Sequence, residues 1–216
     1  ERGYHPCPEP GGARINRMGE SKMRLFDKLW NCFMFSFKKV DAGDNLVIYG
    51  RLYVHGRKGG VKIGNNCMLM SSENVNPTSG MNHIHLVVGS DGTLEIGNRV
   101  GISHANITAY DKVVIEDDVL IGSGVKIWDT DFHPIDYTER IKSEVDGTTK
   151  PIVIREGAFI GGCSIILKGA DIGKRAVIGA GSVVTGKIPD DKVWAGNPAR
   201  FIKKLKNELV GERDNE

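Results

Sequence analysis

The residue best suited to chemistry is His133. Histidine is the side chain most often used to take a proton from an attacking group and return it. It ends the run D-T-D-F-H, residues 129–133, and Pro134 follows. Asp129 or Asp131 could orient the ring and stabilise its charged form, or both could be ordinary solvated loop carboxylates. A lone histidine could equally be a surface residue, so His133 needs support from its surroundings. His83 and His85 are two apart and share a face of an extended strand, but no further ligand cluster accompanies them, and no metal is expected. Cys7, Cys32, Cys67 and Cys163 are widely spaced and read as reduced thiols of a cytoplasmic protein. Cys163 has no base–orienter pair near it and reads as a packed small residue. The chain contains neither G-x-G-x-x-G after a strand nor a G-x-x-x-x-G-K-[ST] loop, so no nucleotide-cradling turn is expected.

The elements that must hold His133 show in a period of six. Ile154, Ile160, Ile166, Ile172, Ile178 and Val184 fall on every sixth position. Ala158, Ser164, Ala170, Ala176 and Ser182 each stand two residues before the next aliphatic. Side chains two apart on a strand point the same way, so each unit sends one branched and one small side chain inward, then turns. Six is neither the helical 3.6 nor the plain strand period of two. It is the signature of a parallel β-helix, in which each short strand stacks on the one a coil earlier. Gly161, Gly173 and Gly179 follow three of the aliphatics and suit corners that need positive φ.

The repeat has an irregular start at Ile48, Val54, Ile63 and Leu69, and residues 71–85 are a polar loop or distorted coil. It returns at Ile96 and Ile102, runs to Thr108, slips by one, and resumes at Ile115, Ile121 and Ile127, with Val119 and Val125 in the second inward position. At Trp128 it breaks. Residues 129–150 have no hexad, and a long loop inserted in a solenoid is more often functional than accidental. His133 lies where coil gives way to loop.

Flanking the solenoid, expected over 46–197, are segments of other character. Residues 1–22 combine Pro, Gly and charge without period and are expected to be a poorly ordered tail. In segment 23–45, Phe26, Leu29, Trp30, Phe33, Met34 and Phe37 lie at helical spacing. This amphipathic helix over 23–40 is expected to cover the open first coil, and contact with a membrane surface is the less favoured use of its aromatic face. Segment 198–216 is expected to begin as a helix, with Asn197 as N-cap, Pro198 in the first turn and an apolar stripe of Phe201, Ile202, Leu205 and Leu209.

Composition bounds the function. Among 216 residues, 29 basic and 27 acidic side chains leave a formal charge of +2, which does not suggest a nucleic-acid partner. No run approaches the roughly 20 apolar residues of a membrane span. The start lacks the layout of a secretory signal, and a cytoplasmic location is expected.

D-T-D-F-H-P at 129–134, A-F-I-G-G-C at 158–163, I-G-A-G-S-V-V-T at 178–185 and I-P-D-D-K-V-W-A-G-N-P-A-R at 188–200 occur in that order. Together they resemble the hexapeptide-repeat O-acetyltransferases: the maltose, galactoside and serine enzymes and those of surface-polysaccharide clusters. The resemblance is good over about 90–205 and worn over 46–90. It implies a left-handed β-helix, a homotrimer with sites between subunits, and acetyl-CoA as co-substrate. It further implies His133 as general base for direct transfer to a hydroxyl of a sugar or glycan, with serine, an amino sugar or a xenobiotic as other acceptors, and a non-catalytic scaffold as a third possibility. By similarity, Gly162, Ala180 and Thr185 line the pantetheine track, and Arg200 and Lys203 meet the phosphates. Phe159 stands where such enzymes often carry Trp. Gly186 replaces a frequent Lys after the Thr, and Lys187 follows it. Ser103 replaces an acceptor-contacting Asn, with His104 and Asn106 as nearby alternatives.

Overall fold

A computed structural model of the chain describes residues 25–72, 74, 76–79, 83–142 and 147–205. The tail expected over 1–22 and residues 206–216 lie outside these. Three hexads make one coil of 18 residues, and the repeat stacks on itself in register. Ile154 pairs with Ile172, Ile160 with Ile178, and Ile166 with Val184. Repetition builds three sheets of seven, eight and six strands, parallel except for the last strand of the second. The first face runs from Asp41–Ala42 to Lys187–Ile188, and the second from Val47–Gly50 to Lys192–Ala195. The third runs from Leu52–Gly56 to Val183–Val184.

The six aliphatics of the 154–184 series are buried, as are Ala158, Ser164, Ala170, Ala176 and Ser182. Burial of each isoleucine contributes about 1.5–3 kcal/mol. The small residues let the corners close: Ser164 and Ser182 Oγ both donate to the carbonyl of Gly179, at 3.1 and 2.6 Å. Outward positions on the second face form an apolar column, in which Met68 pairs with Gly101, Gly101 with Leu120, Leu120 with Phe159, Phe159 with Val177 and Val177 with Val193. Leu120 and Phe159 in this column are exposed.

Three expectations are corrected here. Gly161, Gly173 and Gly179 are not at positive φ; that conformation falls at other corner residues, including Cys163, Arg175 and Gly181. The three glycines are required by close approach instead. A Cβ on Gly161 would stand 2.5 Å from the amide nitrogen of Ala180, and one on Gly173 would stand 2.5 Å from that of Asp190. Neither neighbour is a flexible side chain that could swing aside. The slip in the repeat also lies earlier than Thr108. Ile107 takes the core place in register with Ile127, and Thr108, also buried, pairs with Trp128, because the turn at His104–Ala105 is short.

The third correction concerns the C-terminal end. Arg200–Lys204 is a strand, antiparallel to Lys192–Ala195, rather than the opening of a helix. Lys192–Ala195 would otherwise leave its outer row of backbone groups unpaired, and satisfying that edge outweighs the weak helical stripe.

The N-terminal helix α1, Leu25–Lys38, covers the opposite end. Met34 is in the core, and the Trp30 indole N–H donates to the carbonyl of Leu52 at 3.1 Å. The Asn31 amide substitutes for a neighbouring strand: its nitrogen donates to Gly50 C=O and its oxygen accepts from Leu52 N–H, both at 2.9 Å. The aromatic stripe read from the sequence is divided by this docking. Trp30 and Met34 turn to the coil, whereas Phe26, Leu29, Phe33 and Phe37 remain exposed.

Candidate active site

The interruption that carries His133 leaves the third face at Trp128 and returns at Ile152. Its base is closed by the Thr130–Thr149 bridge, with Asp131 N–H to Thr148 C=O at 3.1 Å and Lys150 N–H to Asp129 C=O at 2.9 Å. Phe132, directly before His133, has φ +61°, uncommon for a bulky residue and typically tolerated only where surroundings enforce it. Here Thr130 Oγ1 accepts from Phe132 N–H at 3.0 Å. The ring packs edge-on against Trp128 and Tyr110, at 5.8 and 6.1 Å between centroids. The loop therefore reverses at a held position, and His133 is exposed at its outer side.

The two aspartates are engaged with the scaffold. Asp129 is fully buried, and its carboxylate oxygens accept from Tyr110 N–H and Asp111 N–H, each at 2.8 Å. Burial pushes its carboxyl above the usual range, against the pull of these amide donors. Asp131 accepts from the Lys168 ammonium and from Thr148 Oγ1, the latter at 2.7 Å. The hydrogen bond from Lys168 holds Asp131 below the usual carboxylate range. Lys168 belongs to the corner one coil further on, so this cluster ties the loop to the next rung. Nothing in the hexad pattern marks Lys168 or Thr148, because their partner lies in the irregular segment.

Asp129→Ala leaves two corner amides without acceptors and is expected to lower stability by about 2–4 kcal/mol. Asp129→Asn keeps one acceptor oxygen and should cost less. Thermal melting alongside turnover separates this scaffold role from ring orientation. A stable Asn variant with a large loss of kcat would point to orientation instead.

The other candidates fall in two groups. Gly162 and Ala180 stack in the corner between the second and third faces, where Gly181 N–H donates to Gly162 C=O at 2.9 Å. Phe159 is exposed on the second-face strand that leads into this corner. Arg200 and Lys203 are exposed on the closing strand of the second sheet. Thr185 and Lys187 are exposed at the opposite corner, between the third and first faces, the corner from which the His133 loop emerges. Ser103 ends the second-face strand Gly101–Ser103. Asn106 begins the next third-face strand, paired with Lys126, on the strand that leads into the loop. His104 is buried between them, its Nδ1 3.2 Å from Ser123 Oγ. Cys163, expected to be a packed small residue, is instead a free, exposed thiol at a corner. His83 Nδ1 lies 2.8 Å from the carbonyl of Ser71, and His85 Nδ1 lies 3.2 Å from His55 Nε2. Among the described residues no group of three or more His, Cys, Asp or Glu could hold a metal ion. No helix among them is long and apolar enough to cross a membrane.

Known proteins agree with this architecture. Residues 151–186 match the family described as bacterial transferase hexapeptide (six repeats). A Saccharomyces cerevisiae protein named "Putative acetyltransferase YJL218W" is 41% identical over 112 residues, 51% of this chain and 55% of that protein. Matches of this kind span about half the length of the curated relatives. Among solved structures, the Bacillus cereus N-acyltransferase AntD, as a mutant in complex with dTDP and coenzyme A, superposes with a TM-score of 0.63. It is 19% identical, with 84% of this chain and 90% of that one covered. A Vibrio cholerae hexapeptide-repeat acetyltransferase complexed with acetyl-CoA gives a TM-score of 0.54 at 24% identity, covering 82% and 78%. The stacked parallel sheets and these likenesses fit a left-handed β-helix. Residues 151–186 of this chain carry the repeat described as bacterial transferase hexapeptide, and the same stacking continues through the coils before it.

Proposed function

We propose that the protein is an acetyl-CoA-dependent O-acetyltransferase that acts on a hydroxyl of a sugar or surface glycan. His133 is the general base. It removes the hydroxyl proton as the oxygen attacks the thioester carbonyl, and the coenzyme leaves as its thiol in the same ternary complex. The reading is carried by one observation: a held loop presents an exposed imidazole at the corner it shares with Thr185 and Lys187, on a transferase-type hexapeptide solenoid. Asp129, Asp131 and Lys168 act as positioning residues that set the loop.

The arrangement favours a homotrimer. Within one protomer, His133, Thr185 and Lys187 lie at one corner, whereas Phe159, Gly162, Ala180, Arg200 and Lys203 lie on or beside the second face. A groove between copies brings the two groups together. The apolar column on the second face and the exposed Ile135, Tyr137 and Ile141 of the loop suit such a contact. In that groove the coenzyme's phosphates meet Arg200 and Lys203, and its pantetheine passes Gly162 and Ala180. We place the enzyme in the cytoplasm, in polysaccharide biosynthesis.

Thiol release from acetyl-CoA, measured over hydroxyl and amino acceptors, tests this. Release that depends on a glycan hydroxyl is expected. Release with amino sugars alone would replace the O-acetyl reading by N-acetyl transfer. No release with any acceptor would favour a scaffold.

A further inference from the structure

Capping the first coil uses Trp30, Asn31 and Met34 of α1, and leaves a second apolar face unexplained. Leu25, Leu29, Phe33 and Phe37 recur every fourth residue, which aligns them as one ridge along the helix. With Phe26 they are 49–73% exposed, and the Phe33 and Phe37 rings stack at 5.7 Å. Soluble surfaces scatter single apolar residues, but a continuous ridge of five marks a docking surface.

The charges around the ridge identify the partner. The Lys58 ammonium lies 4.4 Å and that of Lys38 5.6 Å from the Phe37 centroid, and the Arg51 guanidinium lies 4.6 Å from that of Phe26. Lys28 and Lys39 are also exposed on this helix and its end. The helix carries a single carboxylate, Asp27, and Arg51 already pairs with it at 2.9 Å. A second copy docked ridge to ridge would set these cationic rims against each other, and protein interfaces are depleted in lysine. An apolar ridge rich in Phe and rimmed by Lys and Arg is the composition of a helix lying in the headgroup region of an anionic bilayer. Fourteen residues give about 21 Å of helix, too short to cross but sufficient to lie flat.

We propose that α1 docks the protein on an anionic lipid surface. The ridge is buried at the headgroup boundary, and Lys28, Lys39 and Lys58 meet lipid phosphates. This does not depend on the reaction proposed above.

The test is co-sedimentation of the full chain with phosphatidylcholine vesicles, with and without phosphatidylglycerol, at low and high salt. Particle size is followed by light scattering. Partition to the phosphatidylglycerol vesicles is expected, weakening with salt. Phe33→Ser with Phe37→Ser should reduce partition about tenfold or more without changing the melting transition, and Lys58→Glu should reduce it for anionic vesicles only. Absence of vesicle binding by the full chain overturns the proposal, as does equal binding by the double variant. If the full chain does not bind and the double variant breaks a larger assembly into smaller particles, the ridge is an interface between copies.

Discussion

Replacing His133 by alanine is expected to lower kcat by about 100- to 10,000-fold, the usual contribution of a positioned general base. Stability should barely move. His133 is exposed, and surface substitutions away from caps and cores usually change stability by less than about 0.5 kcal/mol. The fold of the loop depends on other groups: the Thr130–Thr149 bridge, Asp129 on two corner amides, and Lys168 on Asp131. The KM for acetyl-CoA should also hold, because the proposed coenzyme contacts lie at Gly162, Ala180, Arg200 and Lys203. A loss confined to kcat is the pattern of a group that acts only as the barrier is crossed. Residual turnover is expected, since positioning and oxyanion donors survive the substitution. Steady-state kinetics with saturating acceptor, paired with a thermal melt, decides the matter. Unchanged kcat would remove His133 from the chemistry, and a collapsed melt would reassign it to folding.

What the sequence makes legible follows from where period holds. Ile154 to Val184 state their burial outright, because every sixth residue occupies the equivalent inward place on the next face of the coil. The break at Trp128 is equally plain, and it locates the loop. Three features escape the pattern, each for a physical reason. Gly161 serves a close backbone approach to Ala180, which depends on the spacing between coils and not on local conformation. Arg200–Lys204 looks helical by spacing but pairs as a strand, because an open sheet edge is a tertiary demand. Asp129 and Asp131 look alike beside His133, yet one is buried on backbone amides and the other faces Lys168, 37 residues away. Contacts of that separation carry no local signature. The division of α1 into a docked and an exposed side is hidden similarly: one stripe of rings in sequence serves two surfaces in space.

Ile160→Ala should cost about 2–5 kcal/mol, far more than a change of similar size on the outside of the same coils. Ile160 is fully buried, flanked in register by Ile121 on one rung and Ile178 on the next. Backbone ladders hold those rungs apart: Gly122 N–H donates to Ile160 C=O, and Gly161 N–H to Ile178 C=O, both at 2.8 Å. Neighbouring coils cannot move inward without breaking such bonds, so the cavity left by three carbons stays open, and a cavity that cannot collapse sets the upper part of the range. Ile160→Val removes one carbon and should cost about 0.5–1.5 kcal/mol. Val114→Ala removes two carbons from an outward, half-buried position on the first face and should cost about 1 kcal/mol or less. The solenoid contacts only its neighbours along the axis, so the weakened rung should also unlatch the coils beside it, seen as faster amide exchange on both sides of residue 160. Denaturant melts of the three variants give the ranking. An Ile160→Ala protein no less stable than Val114→Ala would mean that the interior of this coil is not the tightly stacked column that the period of six describes.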